Sequence, residues 1–200
     1  MFSPSGQFQE IKKVESENLS YILKIRELEY LEKDNIRLRK ALSFKENSRL
    51  NLIGAEVISF DPSSWRRIIT INLGDADGVE KGLYAIDENG WFIGKVVNVK
   101  KDHAQIMLVN DPDFSLPVFV GSSSMGLMKG GLSGVTVLYI DEAGDLKEKD
   151  KVWVKVASLV SPIYLGEVSR VYKKDDDLFW NIKVNLFSEN PFLHKVFLVK

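Results

Sequence analysis

Three residues stand in an order that can support acyl transfer: His103, Asp111 and Ser133, the last inside Gly130-Gly131-Leu132-Ser133-Gly134. That chemistry needs an imidazole hydrogen-bonded to the serine on one side and held by a carboxylate on the other. The spacing argues against it. His103 and Asp111 bracket one strand-like run, Ala104–Asn110. At about 3.3 Å per residue, that run separates them by more than about 20 Å. A loop histidine, a turn aspartate and a turn serine account for the three. Metal chemistry has even less to work with. The chain has no cysteine, and its two histidines, His103 and His194, are far apart; a metal site needs several ligands brought together. Asp175-Asp176-Asp177 lacks the glycine and distal glutamate of a calcium loop and reads as a solvated hairpin tip. Gly74, Gly78 and Gly82 precede no helix, so no helix N-terminus is there to cradle a phosphate. The expectation is a chain with no catalytic residue, no metal and no cofactor.

The elements around these residues point the same way. Ile11, Val14, Asn18, Tyr21, Ile25 and Leu28 recur at steps of 3 and 4, a heptad seam. The seam restarts one residue early as Leu28, Leu31, Asn35, Leu38 and Leu42, a stammer that overwinds a supercoil. Asn18 and Asn35 both take a positions, where a buried Asn fixes register and favours a parallel pair. The other positions read as mostly Glu, Lys, Arg and Ser, so the helix has little else to bury. Residues 11–50 are therefore read as a coiled-coil dimerisation helix, an arm about 48 Å long between Ile11 and Leu42. Met1–Glu10, with Pro4 and Gly6, is read as a disordered lead.

After Gly54, read as a break, the period changes from 3.6 to 2. Strands are expected at Ala55–Phe60, Arg66–Leu73, Leu83–Asp87, Trp91–Val99, Ala104–Asn110, Leu116–Gly121, Met125–Lys129, Gly134–Ile140, Val152–Val156, Ile163–Val171, Phe179–Leu186 and Lys195–Val199. Glu88-Asn89-Gly90 between two of them is a hairpin signal. A dozen short strands without a second helix call for closed barrels. The expected fold is mainly β with an N-terminal coiled coil and two small six-stranded β-barrels over residues 54–200, nested or in series. Small barrels fill their own interiors and offer surface grooves rather than deep pockets. The net charge is −1 and no basic stripe with interleaved aromatics is visible in the sequence, so nucleic acid is not an expected partner. No run of 18 apolar residues exists, and Met1–Glu10 has no signal-peptide core.

Residues Ala55–Val99 also carry a series of motifs: Asp61-Pro62-x-x-Trp65, a strand ending Asn72-x-Gly74, then Gly78-Val79-x-x-Gly82, then Gly90-x-x-Gly94-x-Val96. The series resembles the family of rod-shape-determining MreC proteins. The match continues through Gly126-Leu127-Met128-Lys129-Gly130 and Leu138-Tyr139-Ile140. Past Asp150 it thins to Pro162, Gly166 and Val168. The resemblance implies a bitopic protein of the bacterial inner membrane whose coil and barrels stand in the periplasm, with the membrane anchor upstream of this chain. It also implies a homodimer, with possible higher assemblies, that works with the elongation-specific penicillin-binding transpeptidase, MreD, RodA and MreB. It assigns no partner-binding residues. A periplasmic adaptor of an efflux or secretion system is the rival reading, but those coils are two-helix hairpins and one helix is visible here. Replacing both Asn18 and Asn35 by Leu is expected to raise the melting temperature and loosen oligomer choice; a double variant that sediments as a unique dimer would contradict the coil assignment.

Overall fold

In a computed structural model of the chain, the described residues are 19–31, 33–34, 52–61, 66–122, 124–141, 146–156, 162–173, 178–188 and 193–200. The chain divides into two units, residues 1–46 and 47–200. In the first, the described residues 19–31 and 33–34 are helical. In the second, the described residues form twelve strands: β1 (Leu52–Phe60), β2 (Ile68–Ile71), β3 (Tyr84–Ile86), β4 (Phe92–Val99), β5 (Ala104–Leu108), β6 (Ser115–Val120), β7 (Ser124–Lys129), β8 (Val135–Ile140), β9 (Lys151–Val154), β10 (Ile163–Tyr172), β11 (Trp180–Leu186) and β12 (Lys195–Val199).

The strands close into two six-stranded barrels. The first runs β1-β12-β3-β4-β5-β2 and the second β10-β11-β8-β7-β6-β9. The second is an insertion in the first, because β6 to β11 fall between β5 and β12 in the chain. Alternation explains both interiors. In β2, Ile69 and Ile71 are buried while Ile68 and Thr70 are half-buried; in β8, Val135 and Val137 are buried on either side of Thr136. Barrel 1 fills with Ala55, Ile69, Ile71, Ala85, Ile93, Val96, Ala104, Ile106, Val196 and Leu198. The alanines leave room for the isoleucines in a narrow lumen. Barrel 2 fills with residues that include Val118, Val120, Met128, Val137, Leu165 and Ile182.

The Asn-Gly signal does mark a hairpin. Asp87 is buried and its Oδ1 accepts the backbone N–H groups of Asn89 and Trp91, both at 2.9 Å. Gly74 to Gly78 tightens into a 3₁₀ turn over Asp75–Asp77, closed by Gly78 at φ 79°. Gly54 departs from the expectation. It is no break but lies inside β1, opposite Phe197, and a Cβ on it would stand 3.3 Å from the Phe197 ring. The absent side chain admits the ring, so β1 starts at Leu52 rather than Ala55.

Asp111 lies in a turn as expected, but it is completely buried in the crossing from β5 to β6. Its Oδ2 accepts the N–H of Arg67 at 2.7 Å and its Oδ1 accepts the N–H of Asp113 at 2.9 Å. Arg66 Nη1 lies 3.8 Å from Oδ1 and also pairs with Asp113. Its main chain takes part as well. The Asp111 carbonyl accepts from Phe114 at 2.9 Å, and a Cβ on Gly130 would stand 2.1 Å from that same oxygen. Aromatic pairs border this crossing and the seam: Phe92 with Phe114 at 6.3 Å, and Trp91 with Phe187 at 4.7 Å. Asp111→Ala would leave two part-buried backbone donors without their carboxylate partner and is expected to cost about 1–3 kcal/mol. Urea denaturation measures this, and a loss under about 1 kcal/mol would contradict the structural role.

Candidate partner-binding surfaces

The proposed hydrolytic residues do not assemble into a triad. His103 Nδ1 lies 2.6 Å from Asp102 Oδ1, and that bond holds the Asp102 carboxyl below its ordinary range. Asp111 is committed to Arg67 and Asp113. Ser133 is exposed in the turn before β8. No group of three or more metal-ligating side chains occurs among the described residues. A groove of about 650 Å³ opens beside the Asp111 crossing, floored by Ile69, Ile93, Leu108 and Leu193 and bordered by Arg66, Arg67 and Leu186. Asn110 also lines it, and its buried Oδ1 has no hydrogen-bond partner among the described residues.

The motif residues turn out to shape the backbone of barrel 1. Asn72 Oδ1 accepts the Glu56 N–H at 2.8 Å while the Asn72 N–H donates to the Glu56 carbonyl at 3.0 Å, one step beyond the Val57–Ile71 pair of the β1–β2 ladder. The Gly74 N–H donates to Asp77 Oδ2 at 3.0 Å. Gly94 must lack a side chain, because a Cβ would stand 2.3 Å from the Met107 carbonyl oxygen on the neighbouring strand. Gly82 and Gly90 have φ of 100° and 82°. Asp61 follows β1, and Pro62 and Trp65 lie outside the described residues.

Of the heptad residues, Tyr21, Ile25, Leu28 and Leu31 fall on the described helix and all are exposed. Ile11, Val14, Asn18, Asn35, Leu38 and Leu42 lie outside the described residues. The helix is less polar elsewhere than the sequence reading held. Leu19, Leu23 and Tyr30, at i, i+4 and i+11, are also exposed and share a second stripe on the face away from the seam. Counting apolar residues at 3.6-residue spacing from Leu19 would have found it.

A second apolar surface sits on barrel 2. Tyr139 has φ 62°, which a bulky side chain rarely adopts. It sits where the register of β8 slips against β11. The bulge turns its ring outward against Phe179, with centroids 5.9 Å apart. Tyr139 is 55% exposed, and Leu178, next to Phe179 in the chain, is 83% exposed. Held strain together with uncovered apolar area makes this face a candidate contact surface.

Comparison with known proteins follows this geometry. The family model for the barrel core of rod shape-determining protein MreC matches residues 57–200. The cell shape-determining protein MreC of Geobacillus stearothermophilus is 26% identical over 160 residues, which is 72% of this chain and 55% of that protein. The chain thus spans about half the length of that relative. A solved MreC structure superposes with a TM-score of 0.72 at 24% identity, covering 85% of this chain and 99% of that one. The MreC chain in a complex between penicillin-binding protein PBP2 and MreC from Helicobacter pylori superposes at 0.60 and 18% identity, over 76% and 98%.

Tyr139→Gly is expected to cost no stability, because relief of the positive φ offsets the lost ring contact, whereas an ordinary strand residue changed to Gly loses about 1 kcal/mol. A chemical denaturation loss well above that would sink the strain reading.

Proposed function

The chain belongs to the MreC family of rod shape-determining proteins, and we propose that it serves as a non-catalytic scaffold of the cell-elongation machinery on the periplasmic side of the bacterial inner membrane. In this reading an anchor preceding the chain holds it to the membrane; among the described residues no helix is long and apolar enough to cross one. The coiled-coil segment of residues 11–50, which holds the described helical residues 19–31, pairs with that of a second copy. The uncovered apolar side chains from Leu19 to Leu31 support this, since they have no cover within the described residues. The barrels then present fixed surfaces to peptidoglycan-synthesis proteins: the elongation-specific penicillin-binding transpeptidase first, with MreD, RodA and MreB in the same assembly. Binding shifts the partner between conformations by the difference in its affinity for them.

The observation that carries the reading is the exposed patch of Tyr139, Leu178 and Phe179 on a closed barrel. A closed barrel has no free strand edge to lend, so association must run through side chains. That PBP2 of Helicobacter pylori has been captured with its MreC supports a transpeptidase as the occupant. Nothing favours the adaptor reading: one helix is found among the described residues where an adaptor hairpin needs two.

Interferometry with the periplasmic region of the elongation transpeptidase from the same organism tests this. Saturable binding is expected, weakened about tenfold or more by Leu178→Ser with Phe179→Ser, since a buried apolar anchor carries about 1–3 kcal/mol. No binding by the unmodified chain would overturn the transpeptidase assignment, and undiminished binding by the double variant would move the contact off this patch.

A further inference from the structure

The strand register of barrel 2 sets Lys129 of β7, Thr136 of β8, Lys183 of β11 and Arg170 of β10 side by side in one row. Their chain neighbours Met128, Val135, Val137, Ile182 and Val184 are buried, so the row faces outward. Lys129, Lys183 and Arg170 are exposed, and none forms an ion pair among the described residues. Glu167, on the same strand as Arg170, is already held by Lys151 at 3.1 Å. Lys183 and Arg170 are direct cross-strand partners. Like charges placed so are destabilising, and that cost stands in the free chain. The row next to it is mostly apolar: Leu127 pairs with Leu138 on one side, and Tyr172 stands opposite Asn181 on the other, all four half-buried.

We propose that this face docks an acidic amphipathic helix of a partner protein. Strands about 4.8 Å apart place Lys183 one spacing from Arg170 and two from Lys129, so the row runs about 14 Å. Acidic side chains at i, i+3 and i+10 of a helix stand at about 4.5 and 15 Å along its axis, close to the positions of Lys183 and Lys129 measured from Arg170. A helix laid across the strands would set an apolar stripe on Leu127, Leu138 and Tyr172 while its carboxylates relieve the Lys183–Arg170 repulsion. A bilayer fits less well. The row lies on a convex barrel wall, which meets a flat lipid surface only along a narrow strip. An anionic glycan matches the charge but leaves the apolar row uncovered.

This deepens the scaffold reading by naming the chemistry of a second partner contact. Its test uses no penicillin-binding protein, so the two readings fail separately. The probe is a labelled helical peptide with Glu at i, i+3 and i+10 and Leu on the adjacent stripe, titrated against the full chain by fluorescence anisotropy. A Glu→Gln peptide, polyglutamate and phosphatidylglycerol vesicles run beside it. The Glu peptide is expected to bind saturably and more weakly as salt rises. Lys129→Glu with Lys183→Glu is expected to weaken it about tenfold or more. The melting temperature should hold or rise, because Lys183→Glu turns the repulsive pair with Arg170 into an attractive one. Equal binding of the Gln peptide would overturn the proposal, as would equally tight binding of polyglutamate or vesicles. Unchanged affinity in the double charge reversal would overturn it too.

Discussion

The buried carboxylate of Asp111 is the constraint on which the two-barrel arrangement turns. An ionised carboxylate taken out of water is costly unless its oxygens are met by donors. Here the donors come from different places: the Arg67 N–H just before β2, and the Asp113 N–H in the crossing itself. The same residue's carbonyl lies so close to Gly130, after β7, that no side chain fits there. One side chain and its peptide therefore fix the entry of a barrel 1 strand, the path between barrels and the exit of a barrel 2 strand. Arg66 adds charge but is partly solvated, so the backbone donors supply most of the compensation.

Around that joint the barrels are built by economy of side chains. Alanines in barrel 1 let bulky residues meet across a narrow interior. The inserted barrel packs back through aromatic contacts, with Lys151 standing 4.6 Å over the Phe187 ring that also meets Trp91. Two closed barrels joined this way leave the outer faces as the surface for recognition, and those faces carry the irregular features: a strained tyrosine, an uncovered leucine and a row of cations.

Alternation and turn chemistry made the strands and the two six-stranded barrels legible, and Lys195–Val199 matches its expected range. What escaped was set by tertiary contacts. Gly54 looks like a break in one dimension and is a seat for Phe197 in three. Asp111 in Asn110-Asp111-Pro112 has the local signature of an exposed turn, and only the packing of Arg66, Arg67 and Gly130 around it removes the water. Tyr139 follows strand alternation in sequence, and its positive φ arises from the register slip with β11. The cation row combines residues from four strands, so no window of the sequence displays it.

The insertion of one barrel in the other also sets an order of completion. All strands of barrel 2 precede Leu186, whereas β12, the last strand in the chain, must enter between β1 and β3. A chain emerging from its N-terminus can close the inserted barrel while its host still has two open strand edges. Those edges pair residues from the two ends of the β-region, Leu52 with Val199, the most distant contact in sequence and the slowest kind to form. Until β12 is made, β1 and β3 offer unpaired backbone to any neighbouring strand. Strand β12 acts as a latch, and closure of the host barrel waits on it.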